Sequence, residues 1–100
     1  MKRVEIQALG LAAAAALAGC VSIGKPFPAD RVSSIVIGKT TQTEILAVYG
    51  QPFRTGIDDG NPAWTYADYR LRLFGDQKTS DLYVRFNADG TVKSYSFNTN

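Results

Sequence analysis

Residues 82–97 read Leu82-Tyr83-Val84-Arg85-Phe86-Asn87-Ala88-Asp89-Gly90-Thr91-Val92-Lys93-Ser94-Tyr95-Ser96-Phe97, and this stretch decides the fold. Leu82, Val84 and Phe86 alternate strictly with Tyr83 and Arg85, which is the two-residue period of a strand with one apolar face. Asn87-Ala88-Asp89-Gly90 is a tight-turn signal, because Asn, Asp and Gly accept the backbone angles that a hairpin demands. Thr91 through Phe97 then return as the last strand of the chain.

Working toward the N-terminus, Gly75 to Ser80 form a polar loop, preceded by a long strand-like run from Ala63 through Phe74. Within it Trp64 and Tyr66 fall on even positions, whereas Tyr69, Leu71 and Leu73 fall on odd ones. The phase changes near Ala67-Asp68, where a β-bulge would bring all of them to one face; without a bulge some of these side chains are exposed. Asp58-Asp59-Gly60-Asn61-Pro62 is a turn that separates this run from a short one near Arg54 to Ile57.

Two helices are expected before the strands. Asp30 can cap the first, which runs to Ile37 with Val32, Ile35 and Val36 as its apolar stripe and Gly38 as its stop. Thr40 or Thr41 caps the second, and Thr41-Gln42-Thr43-Glu44 has capping-box spacing. Ile45, Leu46, Val48 and Tyr49 supply its buried face, Gly50 ends it, and Pro52 prevents its continuation. The predicted class is therefore α+β, with two short helices packed on a three-stranded antiparallel sheet.

The first nineteen residues carry a different signal. Lys2 and Arg3 form a basic start, and the apolar stretch from Ala8 to Ala18 is too short to span a bilayer, fitting the hydrophobic region of a signal peptide. Leu17-Ala18-Gly19-Cys20 then matches the lipobox of bacterial lipoprotein precursors. The thiol of Cys20 is the nucleophile that takes diacylglycerol, and the small residues before it admit the chain to a narrow peptidase site. Residues 1–19 are thus read as a lipoprotein signal peptide, residues 20–29 as a lipidated tether, and residues 30–100 as one folded domain. Gly24, Pro26 and Pro28 make Val21 to Ala29 an extended, period-free connection. Val21 directly after the cysteine, where Asp would mark inner-membrane retention, points to the periplasmic face of the outer membrane.

Composition narrows the chemistry. Beyond the leader nine basic residues face eight acidic ones, interspersed along the chain, which gives no basic patch for nucleic acid. The single cysteine precludes an intramolecular disulfide, so packing has to stabilise a domain of roughly 80 residues. No histidine is present, the only cysteine is committed to lipid, and no serine lies in a nucleophile motif, so no catalytic residue is assigned and a non-enzymatic role is expected. Asp58 and Asp59 are read as turn formers whose side chains point apart, and no metal site or cofactor is assigned apart from the covalent lipid on Cys20. Trp64, Tyr66 and Tyr69 with Arg70 mix aromatics and a guanidinium, which suits either core packing or a protein-binding surface.

The run Asp30-Arg31-Val32-Ser33-Ser34-Ile35-Val36-Ile37-Gly38-Lys39-Thr40, followed by Ile45, Tyr49-Gly50-Gln51-Pro52 and Trp64-Thr65-Tyr66, resembles the SmpA/OmlA (BamE-like) family of small outer-membrane lipoproteins. The resemblance extends from about Asp30 to Asn98. It implies an ααβββ fold and a scaffold or accessory role in outer-membrane β-barrel assembly. Partners would then be the membrane, through the lipid, and the barrel-assembly machinery, with Trp64, Tyr66, Tyr69 and Arg70 as the first candidates for protein contact. The short segment between Cys20 and the first helix leaves a second reading, a tethered binding or inhibitory module acting on another envelope protein.

Overall fold

A computed structural model describes residues 20–100, so the expected signal peptide, residues 1–19, lies outside the described residues. The chain forms a five-stranded antiparallel sheet: β1 (Cys20–Gly24), β2 (Arg54–Asp58), β3 (Asn61–Arg72), β4 (Lys78–Phe86) and β5 (Val92–Thr99). Between β1 and β2 lie a 3-10 helix, Ala29–Ser34, and one α-helix, α1 (Gln42–Tyr49). This overturns the expected arrangement of two helices on three strands.

Each difference has a local cause and a long-range one. The first expected helix contracts to a 3-10 turn that follows Pro28 without any side-chain cap. Val32-Ser33-Ser34-Ile35-Val36-Ile37 is rich in β-branched residues and serine, which are weak helix formers. Three residues per turn still bring Val32 and Ile35 to one side, and both are buried, whereas Val36 and Ile37 are exposed. The second helix forms as expected: the Thr41 hydroxyl accepts the Glu44 amide at 3.2 Å, and Gly50 closes the helix at φ 78°.

The two additional strands share one edge of β3. The first half of β3 pairs with β2, from Asp58↔Asn61 to Arg54↔Thr65, through a two-residue turn in which Asp59 and Gly60 take φ 53° and 79°. The second half pairs with β1, from Gly24↔Asp68 to Cys20↔Arg72. The opposite edge of β3 carries β4, which in turn carries β5. Half of the segment read as a tether is therefore sheet.

The β3–β4 register runs without interruption from Ala63↔Arg85 to Arg70↔Lys78, so no bulge occurs at Ala67-Asp68; the one irregularity in β4–β5 lies between Arg85 and Phe86. Since directly paired residues share a face, Trp64 and Tyr66 lie with Val84 and Leu82, and Tyr69 and Leu71 lie on the other side.

The core fills the side covered by the helices. Ile45 and Tyr49 of α1, with Val32 and Ile35, pack onto Tyr66, Leu82, Val84, Phe86 and Val92. Each of these side chains contributes about 1.5–3 kcal/mol through burial. Phe27 closes this layer, with ring centroids 6.4 Å from Tyr49, 6.1 Å from Tyr66 and 6.5 Å from Phe97. The approach to α1 is bonded to the start of β5: Gly38 and Gln42 donate to the carbonyls of Val92 and Gly90, and Val92 donates to that of Thr40.

Candidate functional site

The residue expected to carry the lipid is Cys20. Cys20 is exposed and lies in β1, directly opposite Arg72 at the far end of β3. Five paired residues and a further backbone bond, Lys25 N–H to the Ala67 carbonyl at 2.9 Å, bind this end of the chain to the sheet. Gly24 makes the close approach possible: at φ +78°, a Cβ in its place would lie 2.0 Å from the Ala67 carbonyl oxygen. Cys20 thus belongs to the sheet rather than to a free tether.

Around it the sheet end is apolar and basic. Leu73 and Phe74, which follow Arg72, are 72% and 86% exposed. Val21 and Ile23 pair with Leu71 and Tyr69 on the sheet face away from the helices, and both are exposed. Arg70, Arg72 and Lys78 are exposed at the same end, where Arg70 pairs with both Ser22 and Lys78 and makes an ion pair to Asp68 at 3.5 Å.

The four residues proposed for protein contact do not form one surface. Trp64 is half-buried and meets Phe86 edge-on, with centroids 5.0 Å apart. Tyr66 is 1% exposed, and its hydroxyl donates to the Gly50 carbonyl at 2.8 Å, closing the end of α1 over the sheet. Burial, reinforced by the neighbouring Tyr49, pushes its phenol up to about 12. Tyr69 is half-buried on the other face, where its hydroxyl donates to Asp81 at 3.4 Å. Arg70 is exposed on the helix side, in the same register row as Lys78. The first two therefore serve the core, and the latter two remain accessible on opposite sides of the anchor end.

A polar cluster occupies the other half of the uncovered sheet face. The Tyr83 hydroxyl donates to Asp58 at 2.7 Å, Arg85 Nη2 reaches Asp58 at 3.3 Å and Asp59 at 2.6 Å, and Lys93 lies 3.6 Å from Asp59. Asp58 and Asp59, expected to point apart, instead converge on Arg85. The hydrogen bond to Asp58 raises the Tyr83 phenol above its ordinary value. Tyr83 and Arg85 alternate with the core residues of β4, so their face was legible; the convergence required the β2–β3 turn to fold back over them. The cluster ties β2 to β4 across β3.

On the helix side, Arg31, Ser34, Ile35, Thr40, Glu44, Ile45, Val48 and Tyr49 line a shallow pocket of about 100 Å³, room for a few waters. The Tyr49 hydroxyl is buried and has no hydrogen-bond partner among the described residues. Burial pushes its phenol up, and the nearby Arg31 charge opposes that. Among the described residues no three His, Cys, Asp or Glu side chains gather as a metal-binding group, and no helix is long and apolar enough to cross a membrane.

No protein-family model matches this chain, and no curated protein matches it significantly. The resemblance to SmpA/OmlA lipoproteins therefore rests on the motifs quoted above.

Proposed function

We propose that this chain is a lipid-anchored, non-enzymatic scaffold, held through Cys20 at the periplasmic face of the outer membrane as an accessory subunit in β-barrel protein assembly. What supports the reading is a lipobox-like motif, Leu17 to Cys20, whose cysteine is paired within the sheet opposite Arg72. A flexible leash would let the domain roam about 30 Å from the headgroups. A cysteine held in sheet register opposite Arg72 fixes both the distance of the domain and the surfaces it presents. Such a module acts by what it holds in place.

The remaining accessible surface suits a protein partner. Among the described residues the outer edge of β5 is unpaired along most of its length, and the uncovered sheet face combines Tyr69 and Leu71 with the Tyr83–Asp58–Arg85 cluster. Aromatic and guanidinium groups on a rigid support are favoured interface residues.

The test is complementation. A strain lacking the gene should show lowered outer-membrane protein levels and raised detergent sensitivity, which the wild-type gene restores. The Cys20→Ser form should be stable yet fail to restore them, and crosslinking in intact cells should recover a barrel-assembly subunit. Full rescue by Cys20→Ser would refute the anchored scaffold, and unchanged outer-membrane protein levels in the deletion strain would instead favour the tethered inhibitory module.

A further inference from the structure

We infer that the tip of the β3–β4 connection, Leu73 and Phe74, inserts into the same bilayer leaflet that receives the lipid of Cys20, giving the domain a second membrane contact. The inference rests on the proposed acylation of Cys20. Three observations carry it.

The first is position. Cys20 pairs with Arg72, so Leu73 begins the connection one residue beyond the anchor's own partner. Neighbouring strands lie about 4.8 Å apart, so an acyl chain on Cys20 enters the membrane within a few ångströms of this tip. The second is chemistry. Leu73 and Phe74 are 72% and 86% exposed; of the large apolar side chains in the domain, Phe74 is the most exposed and only Ile57 rivals Leu73. Among the described residues this water-facing Leu-Phe pair is not part of the core, whereas interfacial segments bury such side chains about 5–10 Å deep at the acyl boundary. The third is charge. Arg70, Arg72 and Lys78 flank the tip, against Asp76 within it and Asp68 already paired to Arg70. Long basic side chains beside an inserted apolar tip keep their heads among lipid phosphates while their stems follow the apolar part.

Two fixed points on one rigid sheet end restrict rotation about the anchor. The long axis of β3 would then stand away from the membrane, with the β2–β3 and β4–β5 turns at the distal end. A single acylated residue on a loose tether could not set that orientation.

Fluorescence quenching on the full lipidated protein tests this. Trp64 is the sole native tryptophan and lies eight residues, about 26 Å along β3, from Arg72. Wild-type and Phe74→Trp proteins would be reconstituted into vesicles of phosphatidylethanolamine and phosphatidylglycerol with brominated acyl chains, and anchoring checked by flotation and by the mass of Cys20. The added tryptophan should shift to shorter wavelength and lose about half of its emission or more, since it would sit within the depth that interfacial side chains reach. The native tryptophan should be unaffected. Floating, acylated protein with an unquenched Phe74→Trp signal would overturn the insertion and leave the anchor standing. Unmodified Cys20 with no flotation would overturn both. Phe74 is exposed, so the substitution disturbs no packing.

Discussion

Gly24→Ala isolates the contribution of β1. At φ +78° an alanine costs about 1–2 kcal/mol in backbone strain alone. The new Cβ would also fall 2.0 Å from the Ala67 carbonyl oxygen and 2.8 Å from its carbon, both backbone atoms of the central strand. Those atoms cannot withdraw, because β3 is held along its other edge by β4 from Ala63 to Arg70. β1 is the partner that can move. All five of its residues are exposed and none belongs to the core, so its docking rests mainly on a few backbone hydrogen bonds of about 1 kcal/mol net each. With so little reserve, a penalty of about 2 kcal/mol should release the strand without unfolding the domain. Hydrogen exchange reads this directly: the alternate β1 amides that bond to β3, and the Lys25 amide bonded to Ala67, should exchange about thirtyfold faster. The core amides of β4 should change little, and the melting temperature should drop by less than about 10 °C. Unchanged protection of β1, or a melting temperature that falls as far as for a core truncation, would refute the reasoning.

Two further predictions concern the core and its pH dependence. Leu82 is fully buried, so Leu82→Ala should destabilise by about 2–5 kcal/mol and lower the melting temperature by about 8 °C or more, whereas Leu73→Ala at an exposed position should stay within about 0.5 kcal/mol; circular dichroism melts compare them. Tyr66→Phe removes the bond to Gly50 and should cost about 1–2 kcal/mol in chemical denaturation. Its phenol titrates near 12 when folded against an ordinary 10.0, so the folded state binds the proton more tightly. Stability from this group is then complete below pH 10 and falls as pH rises from 10 to 12, a slope that Tyr66→Phe should reduce.

Reading the chain in order finds what local chemistry governs. The β4–β5 hairpin is written in the alternation of Leu82, Val84 and Phe86 and in the turn ending at Gly90, which takes φ 89°. The α1 helix is bounded by Thr41 and Gly50, whose roles need only neighbouring backbone atoms. The 3-10 turn is a borderline case: Val32 and Ile35 are buried as expected, but the same spacing serves a three-residue turn, and β-branched residues tip the choice. β1 was beyond such reading. Its two prolines downstream and its five exposed residues look like a leash, and its partner lies nearly fifty residues away.

The proposed site divides along the same line. The proposed lipobox is a contiguous pattern, Leu17 to Cys20, that is read without any fold. Trp64, Tyr66, Tyr69 and Arg70 looked like one constellation because they are near in sequence; an uninterrupted register sends Tyr69 to the opposite face and draws Tyr66 into the core. By itself, then, the sequence determined where α1 starts and stops and where the last hairpin turns, and it supplied the motif behind the proposed lipid attachment, since each depends on residues within a few positions. Only the tertiary structure decided that Cys20 to Gly24 form a strand, that Leu73 and Phe74 stand beside it, and which aromatics meet solvent, because strand pairing across long loops is set by the packing of the whole sheet.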